Sequence, residues 1–318
     1  MSGTPSSVTK TLWKRLHFWV VTVWKFSRPH TIIGTSLSVL ALYSLAVALE
    51  PTAWTGASLW QLAGAGFACL CGNLYIVGLN QLEDVAIDRI NKPDLPLASG
   101  ALSLQQGRWL VGVTGVLALL SSALFGGWLL ATVSFSLVLG TAYSLPPVRL
   151  KRFPFLAALC IFTVRGVVVN LGLFLHYQQG LGLATGIPAI IWLLSGFIVV
   201  FTVAIAIFKD VPDTQGDKRY HITTFTILLG KRTILQISCG IITLCYLGLM
   251  AAAVAGINPL NAWVIVLSHS GLLVLLWWQA HRLDLEEQAA IARFYQLIWK
   301  LFFLEYLLFP TACWLASS

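Results

Sequence analysis

Nine stretches of this chain are each apolar over close to the roughly 20 residues that an α-helix needs to cross a bilayer. They lie near 31–49, 60–79, 109–125, 128–147, 154–175, 187–208, 233–254, 262–280 and 294–316, with Gly126 and Gly127 joining the third to the fourth. Of the 318 residues, 58% are hydrophobic and 10% charged. A soluble domain of this length would need more polar side chains to cover its surface. The expected class is all-α: a polytopic membrane protein of nine transmembrane helices.

Charge placement supports that count. An odd number of spans puts the termini on opposite sides, so basic residues should crowd into alternate loops. All but Arg165 and Lys300 of the 20 Lys and Arg residues fall before the first span or after the second, fourth, sixth and eighth. The opposite loops carry none. The N-terminus is therefore expected inside, and the net charge of +8 reports orientation and anionic headgroups, not nucleic acid. The six cysteines form no CxxC pair and all fall within apolar runs, so they read as buried small side chains. Segment 11–26 mixes Trp with Lys and Arg, and reads equally as an interfacial amphipathic helix or an aromatic-belt anchor.

Two acidic segments stand out against this background. In NQLEDVAIDRINKPDLPLASG (80–100), Asn80, Asp84 and Asp88 recur every four residues. That spacing predicts one stripe on a helix continuing from the second span, ended by Pro93, Pro96 and Gly100. In KDVPDTQGDKR (209–219), Asp210, Asp213 and Asp217 again share roughly one face if helical, although Pro212 and Gly216 make a broken helix end equally possible. The two segments lie four spans apart on the same side. Residues 30–147 and 154–280 thus read as two four-helix repeats, followed by a final helix at 294–316 and preceded by an N-terminal segment, 1–29.

Carboxylates stacked on one face repel, so each set calls for a counter-ion. Oxygen donors in small number suit Mg²⁺, which keeps waters and takes further ligands from substrate phosphates. A metal-bridged diphosphate between the two clusters satisfies both. Arg149, Lys151, Arg152, Lys209 and Lys218 lie on the same side and are candidates to clamp phosphate oxygens. Glu83, Lys92 and Asp94 read as solvated loop charges. Arg28, before Pro29 at a helix-start position, can face the site. Arg165, near the middle of the fifth span, is a functional candidate because a buried charge there needs a partner or a cavity. Lys300 and Glu305 on the last helix are expected to neutralise each other or to pair with Arg165.

The N-x-x-x-D-x-x-x-D motif after the second helix and D-x-x-D-x-x-x-D after the sixth resemble those of the UbiA superfamily of intramembrane aromatic prenyltransferases. Further pieces of the chain, YSLPPVRLKRFP (143–154), VRGVVVNLGLFLH (164–176) and IWKLFFLEYLLFP (298–310), are most similar to its homogentisate phytyltransferase branch. The resemblance implies an Mg²⁺-dependent transfer from phytyl diphosphate to homogentisate with loss of CO₂, as in tocopherol synthesis. Asn80, Asp84, Asp88, Asp210, Asp213 and Asp217 would form the metal–diphosphate site, with Arg28 or Arg165 holding the acceptor carboxylate. Geranylgeranyl or solanesyl donors and naphthoate or chlorophyllide acceptors stay open. A transporter with acidic cation sites is the rival from another class, but such sites usually lie at the bilayer midplane. Residues 1–10 are too short and Arg-poor for a plastid transit peptide. The expected setting is a cyanobacterial thylakoid or plasma membrane, with the active site on the cytoplasmic (or stromal) face.

Overall fold

The computed structural model of the chain describes residues 7–184, 186–219 and 224–317; the side chains of 7–12, Ala53, Ala57, Pro154, 215–219 and Ser317 lie outside that description. Among the described residues there is no strand. An amphipathic α1 (Ser7–Phe26) precedes α2 (Pro29–Leu49), α3 (Gly56–Glu83), the short α4 (Val85–Asn91), α5 (Leu104–Phe125) and α6 (Gly127–Ser144). The second half runs through α7 (Pro154–Phe162), α8 (Val169–Gly180), α9 (Ala189–Phe208), α10 (Asp210–Arg219), α11 (Phe225–Leu229), α12 (Lys231–Val254), α13 (Ala262–His281) and α14 (Gln288–Ser317). Nine helical segments among the described residues are long and apolar enough to cross a membrane, α7 and α8 counting as one through the π-helical turn Thr163–Val168. A helix closes its own backbone hydrogen bonds, which is why lipid selects it for every span.

Local chemistry sets where these helices begin. Thr55 and Ser58 form a capping box at the start of α3, and Ser103 and Gln106 form another at α5. Pro29 opens α2 at a position where its missing N–H costs nothing. Gly126, at φ 132°, turns the chain from α5 straight into α6, a conformation a side chain would resist.

Packing between helices in lipid draws on close van der Waals contact more than on exclusion of water. Helix α3 lies against α5, α9 against α12, and α14 against α2. Phe201, Tyr246 and Phe302 pack where α9, α12 and α14 meet, all fully buried. Gly166 lets the π-turn meet α9 closely: an added Cβ would stand 2.9 Å from the Val199 Cα. Five of the six cysteines are buried as expected, but Cys69 is only partly so.

Two expectations are corrected. The stripe from Asn80 to Asp88 does not ride one unbroken helix, because Asp84 leaves helical geometry (φ −112°, ψ 14°) between α3 and α4. The i→i−4 bonds continue across it, Asp84 N to Asn80 O at 3.1 Å and Asp88 N to Asp84 O at 2.8 Å, so the chain kinks without ending. On the last helix, Glu305 pairs with neither Lys300 nor Arg165. It meets His269 Nε2 at 2.9 Å in a wholly buried pair, while Lys300 is exposed.

Candidate active site

The two acidic segments come together because α4 packs on α10. Pro212 does not break α10; it sits in the first turn, where no N–H partner is required. Asp210 and Asp213 share that first turn, at the end of the helix that favours negative charge. Asn80, Asp84, Asp88, Asp210 and Asp213 all line one cavity of about 1390 Å³. Asp217 and Lys218 carry side chains outside the described residues.

Asp84, Asp88, Asp210 and Asp213 each meet a cation. Asp84 takes two, with Arg149 Nη2 at 3.1 Å from Oδ1 and Lys151 Nζ at 2.6 Å from Oδ2. Arg28 Nη2 stands 3.6 Å from Asp88 Oδ2, and Lys209 Nζ stands 3.5 Å from Asp210 Oδ1. Lys92 bonds Asp213. Arg152 is turned outward at the rim, donating to the Pro147 carbonyl at 3.3 Å with its guanidinium over Phe153. Arg28 and Arg149 are the positive-φ non-glycine residues of the described chain, at 51° and 38°. Side-chain-bearing residues rarely hold that conformation, and such strain gathers at functional sites. Here it sits on two arginines that point at the carboxylates.

Burial sets the electrostatics. It pushes the Asp88 carboxyl above its ordinary value; Arg28 and Lys92 pull the other way, and the like charges of Asp84 and Asp213 add to the rise. Burial likewise draws Lys151 downward, against the pull of Asp84. Asp88 Oδ2 is buried without a hydrogen bond. Among the described residues no three His, Cys, Asp or Glu side chains stand close enough to hold an ion unaided. The donors present suit a hard divalent ion that takes one or two carboxylates and completes its shell with water and phosphate. On that test the residues fit Mg²⁺ together with a diphosphate.

Deeper in the same cavity lies Arg165, carried on the π-helical turn. Its guanidinium sits 4.8 Å from the Trp299 ring centroid and 5.3 Å from that of Phe302. Among the described residues no carboxylate lies within ion-pair distance of it. A cation at membrane depth needs a partner or a cavity, and Arg165 has the cavity.

Sequence reasoning missed several lining residues. Lys92, read as a solvated loop charge, bridges the two motifs; its partner is 121 positions away, beyond any local pattern. Asn73 donates to Thr31 Oγ1 at 3.0 Å, setting an amide on the wall. His30 lies against Trp299 with ring centroids 4.8 Å apart. His30 follows Arg28 by two residues on α2, a local signal that was there to be read. Glu83 and Asp94, the other expected solvated loop charges, also line the cavity, and Asp94 is exposed.

The chain matches the UbiA prenyltransferase family over residues 35–304. It is 56% identical over 295 residues to homogentisate phytyltransferase of Synechocystis sp., a match that spans 92% of this chain and 96% of that protein. It is 38% identical over 293 residues to homogentisate geranylgeranyltransferase of Triticum aestivum, spanning 90% of this chain and 71% of that one. Among solved structures, a UbiA homologue from Archaeoglobus fulgidus bound to GPP and Mg²⁺ superposes with a TM-score of 0.59 at 15% identity. That match covers 91% of this chain and 99% of the other, and is a likeness of fold.

Proposed function

The chain belongs to the UbiA prenyltransferase family, and we propose that within it this protein transfers a phytyl group from phytyl diphosphate to homogentisate. The products are 2-methyl-6-phytyl-benzoquinol, diphosphate and CO₂. One observation carries the reading: a single cavity joins both acidic motifs and their cations to the half-buried Arg165. Its volume of about 1390 Å³ exceeds the ~300–1,000 Å³ of an ordinary ligand pocket, as a two-substrate site requires.

The diphosphate lies at the charged end, where Asn80, Asp84, Asp88, Asp210 and Asp213, with Asp217, supply oxygen ligands for Mg²⁺. Bound Mg²⁺ supplies the Lewis-acid charge that stabilises the leaving group. Arg149, Lys151, Lys92 and Lys209, which neutralise the aspartates in the unliganded protein, then have phosphate oxygens within reach, with Arg152 and Lys218 as further candidates. Their fixed positive charge favours the state in which the C1–O bond has broken and its electron pair has left with diphosphate. The apolar walls keep water from the allylic cation. A ring carbon of homogentisate gives its π electrons to C1 and then loses its proton. The carboxylate leaves as CO₂, and the benzylic carbon takes up a proton to become the methyl group. Arg165 orients that carboxylate until it departs; Arg28, engaged with Asp88, serves the diphosphate end.

The 56% identity to a phytyl-transferring relative across 92% of this chain supports phytyl as the donor. We place the charged mouth and the N-terminus on the cytoplasmic or stromal face of a thylakoid or plasma membrane. We also read 30–147 and 154–280 as two repeats that contribute one acidic helix each.

Purified protein incubated with Mg²⁺, homogentisate and phytyl diphosphate should form the prenylated benzoquinol and release CO₂. Full turnover by both Asp84→Ala and Asp213→Ala would refute the metal–diphosphate site. Wild-type turnover with dihydroxynaphthoate or chlorophyllide but not homogentisate would overturn the acceptor. Preference for geranylgeranyl or solanesyl diphosphate over phytyl diphosphate would overturn the donor.

A further inference from the structure

Between the charged end of the cavity and Arg165 stands His30, the second residue of α2. Its ring lies 4.8 Å from that of Trp299, and the Arg165 guanidinium lies 4.8 Å from the same residue's ring. Imidazole and guanidinium thus share one aromatic partner and stand no more than twice that distance apart. His30 and Gly34 lie on one face of α2, and a Cβ at Gly34 would meet Arg165 Nη1 at 3.2 Å. His30 is therefore about 6 Å nearer the charged end than the place where Arg165 approaches the helix. The charges whose fields reach it are Arg28 and Lys92 from the diphosphate end and Arg165 from the other. In the proposed function, this is where the allylic C1 and the acceptor ring have to meet.

The imidazole is also uncommitted. Among the described residues neither of its nitrogens has a hydrogen bond or an ion pair. The buried His269, by contrast, engages both of its nitrogens, with the Ile265 carbonyl and with Glu305. His30 is half-buried, and among the described residues it is the one histidine that lines the cavity. Asp84, Asp88, Asp210 and Asp213 each face a cation. The phenols of Tyr143, Tyr295 and Tyr306, which also line it, are poor bases. An imidazole ordinarily titrates near neutrality, which suits it both to take a proton and to give it back.

The proposed reaction has one proton to move twice. Its product carries the methyl and phytyl groups on carbons 2 and 6, on either side of one hydroxyl. The ring carbon that is prenylated must lose a proton, and the benzylic carbon must gain one when CO₂ leaves. With bonds of ~1.4–1.5 Å those two carbons lie about 4 Å apart. A single base beside the intervening hydroxyl reaches both.

We propose that His30 is the catalytic residue that carries this proton. The proposal rests on homogentisate as the acceptor, with its carboxylate at Arg165, as the proposed function has it. Once C1 of the donor has bonded to the ring, the C–H bond at that ring carbon breaks. Its electron pair restores the aromatic ring, and the proton passes to a nitrogen of His30. The bond from the benzylic carbon to the carboxylate then breaks, its pair stays on that carbon, and the imidazolium returns the proton there. CO₂ departs, the neutral imidazole is restored, and no net proton is exchanged with water.

Isotope tracing tests this in the wild-type protein. Homogentisate deuterated at the ring carbon that is prenylated is incubated with Mg²⁺ and phytyl diphosphate in ordinary water. Mass spectrometry should find deuterium in about a tenth or more of the product methyl groups, because the apolar walls shield the imidazolium from water. His30→Gln should abolish that transfer and lower kcat roughly 100-fold or more, while KM for homogentisate hardly moves. Calorimetry of this variant with Mg²⁺ and phytyl diphosphate alone should give the wild-type affinity, which reports a folded donor site. Added imidazole should restore part of the turnover of His30→Ala. Wild-type product with no deuterium in its methyl group overturns the proton relay alone. So does His30→Gln protein that transfers the label as the wild type does, which would make another group the carrier. Parallel loss of affinity for both substrates, without rescue by imidazole, makes His30 a packing residue and also overturns the proposal. Wild-type protein that prenylates no homogentisate overturns the acceptor, and the relay with it.

Discussion

Lys92, at the C-terminal end of α4, is ion-paired with Asp213, 121 positions away in the first turn of α10, and so joins the two acidic segments. In the unliganded protein this lysine supplies the positive charge that holds one carboxylate against the other half of the chain. In the proposed function the same ammonium would meet phosphate oxygens of the entering diphosphate. A hydrogen bond to a charged group contributes about 1.5–3 kcal/mol. Lys92→Ala should therefore raise KM for the donor diphosphate by roughly 10–100-fold. KM for homogentisate should hardly move. Steady-state kinetics with each substrate varied in turn would separate the two, and equal effects on both would argue that Lys92 only holds α4 to α10.

Asp84 accepts both Arg149 and Lys151, so its loss leaves two cations without a partner at once. Asp84→Asn should lower kcat/KM by more than 100-fold, because in the proposed function it removes a metal ligand and misplaces two phosphate-binding groups together. Chelation of Mg²⁺ in the wild type should abolish turnover, and restoring Mg²⁺ should recover it in the wild type only. A variant that regained full rate at high Mg²⁺ would show Asp84 to be dispensable as a ligand.

If Asp88 is a metal ligand as proposed, its buried carboxyl should make metal binding pH-dependent. Its value lies above the ordinary one in the folded, unliganded protein, chiefly through burial. Between the two values the folded state holds a proton that the unfolded chain has released. This group therefore stabilises the empty protein at low pH, and that contribution is lost as pH rises through the raised value. Mg²⁺ must displace the proton, so the Mg²⁺ concentration for half-maximal rate should rise as pH falls toward the acid side of neutrality. Mg²⁺ titrations at a series of pH values would read this directly. A half-saturation point that did not move with pH would count against Asp88 as a ligand.

Gly34 stands opposite Arg165 on α2, and a Cβ added there would lie 3.2 Å from Arg165 Nη1 and 3.2 Å from Phe303 Cε1. Gly34→Val should push the guanidinium away from Trp299 and raise KM for homogentisate about tenfold, with KM for the donor nearly unchanged. Arg165→Met should raise it further, since the acceptor carboxylate would then enter an apolar cavity without a partner. Both variants should bind an acceptor analogue lacking the carboxylate as well as the wild type does. Equal loss of binding for the two acceptors would place Arg165 in a packing role.

The linear sequence specifies a good deal of this. Nine apolar runs and the alternation of Lys and Arg between loops define the spans, because lipid and water separate residue types along the chain. Asn80, Asp84 and Asp88, with Asp210, Asp213 and Asp217, are legible as two carboxylate sets because like charges at helical spacing demand a counter-ion. Their pairings are not legible. Lys92 reaches Asp213, Arg149 and Lys151 converge on Asp84, and Glu305 meets His269 through contacts between helices far apart in sequence. No periodicity records such contacts. The kink at Asp84 and the π-turn that carries Arg165 belong to the same class. Each depends on how closely neighbouring helices approach, and that distance is set by side chains on both partners at once. A local pattern of residue types describes only one of them.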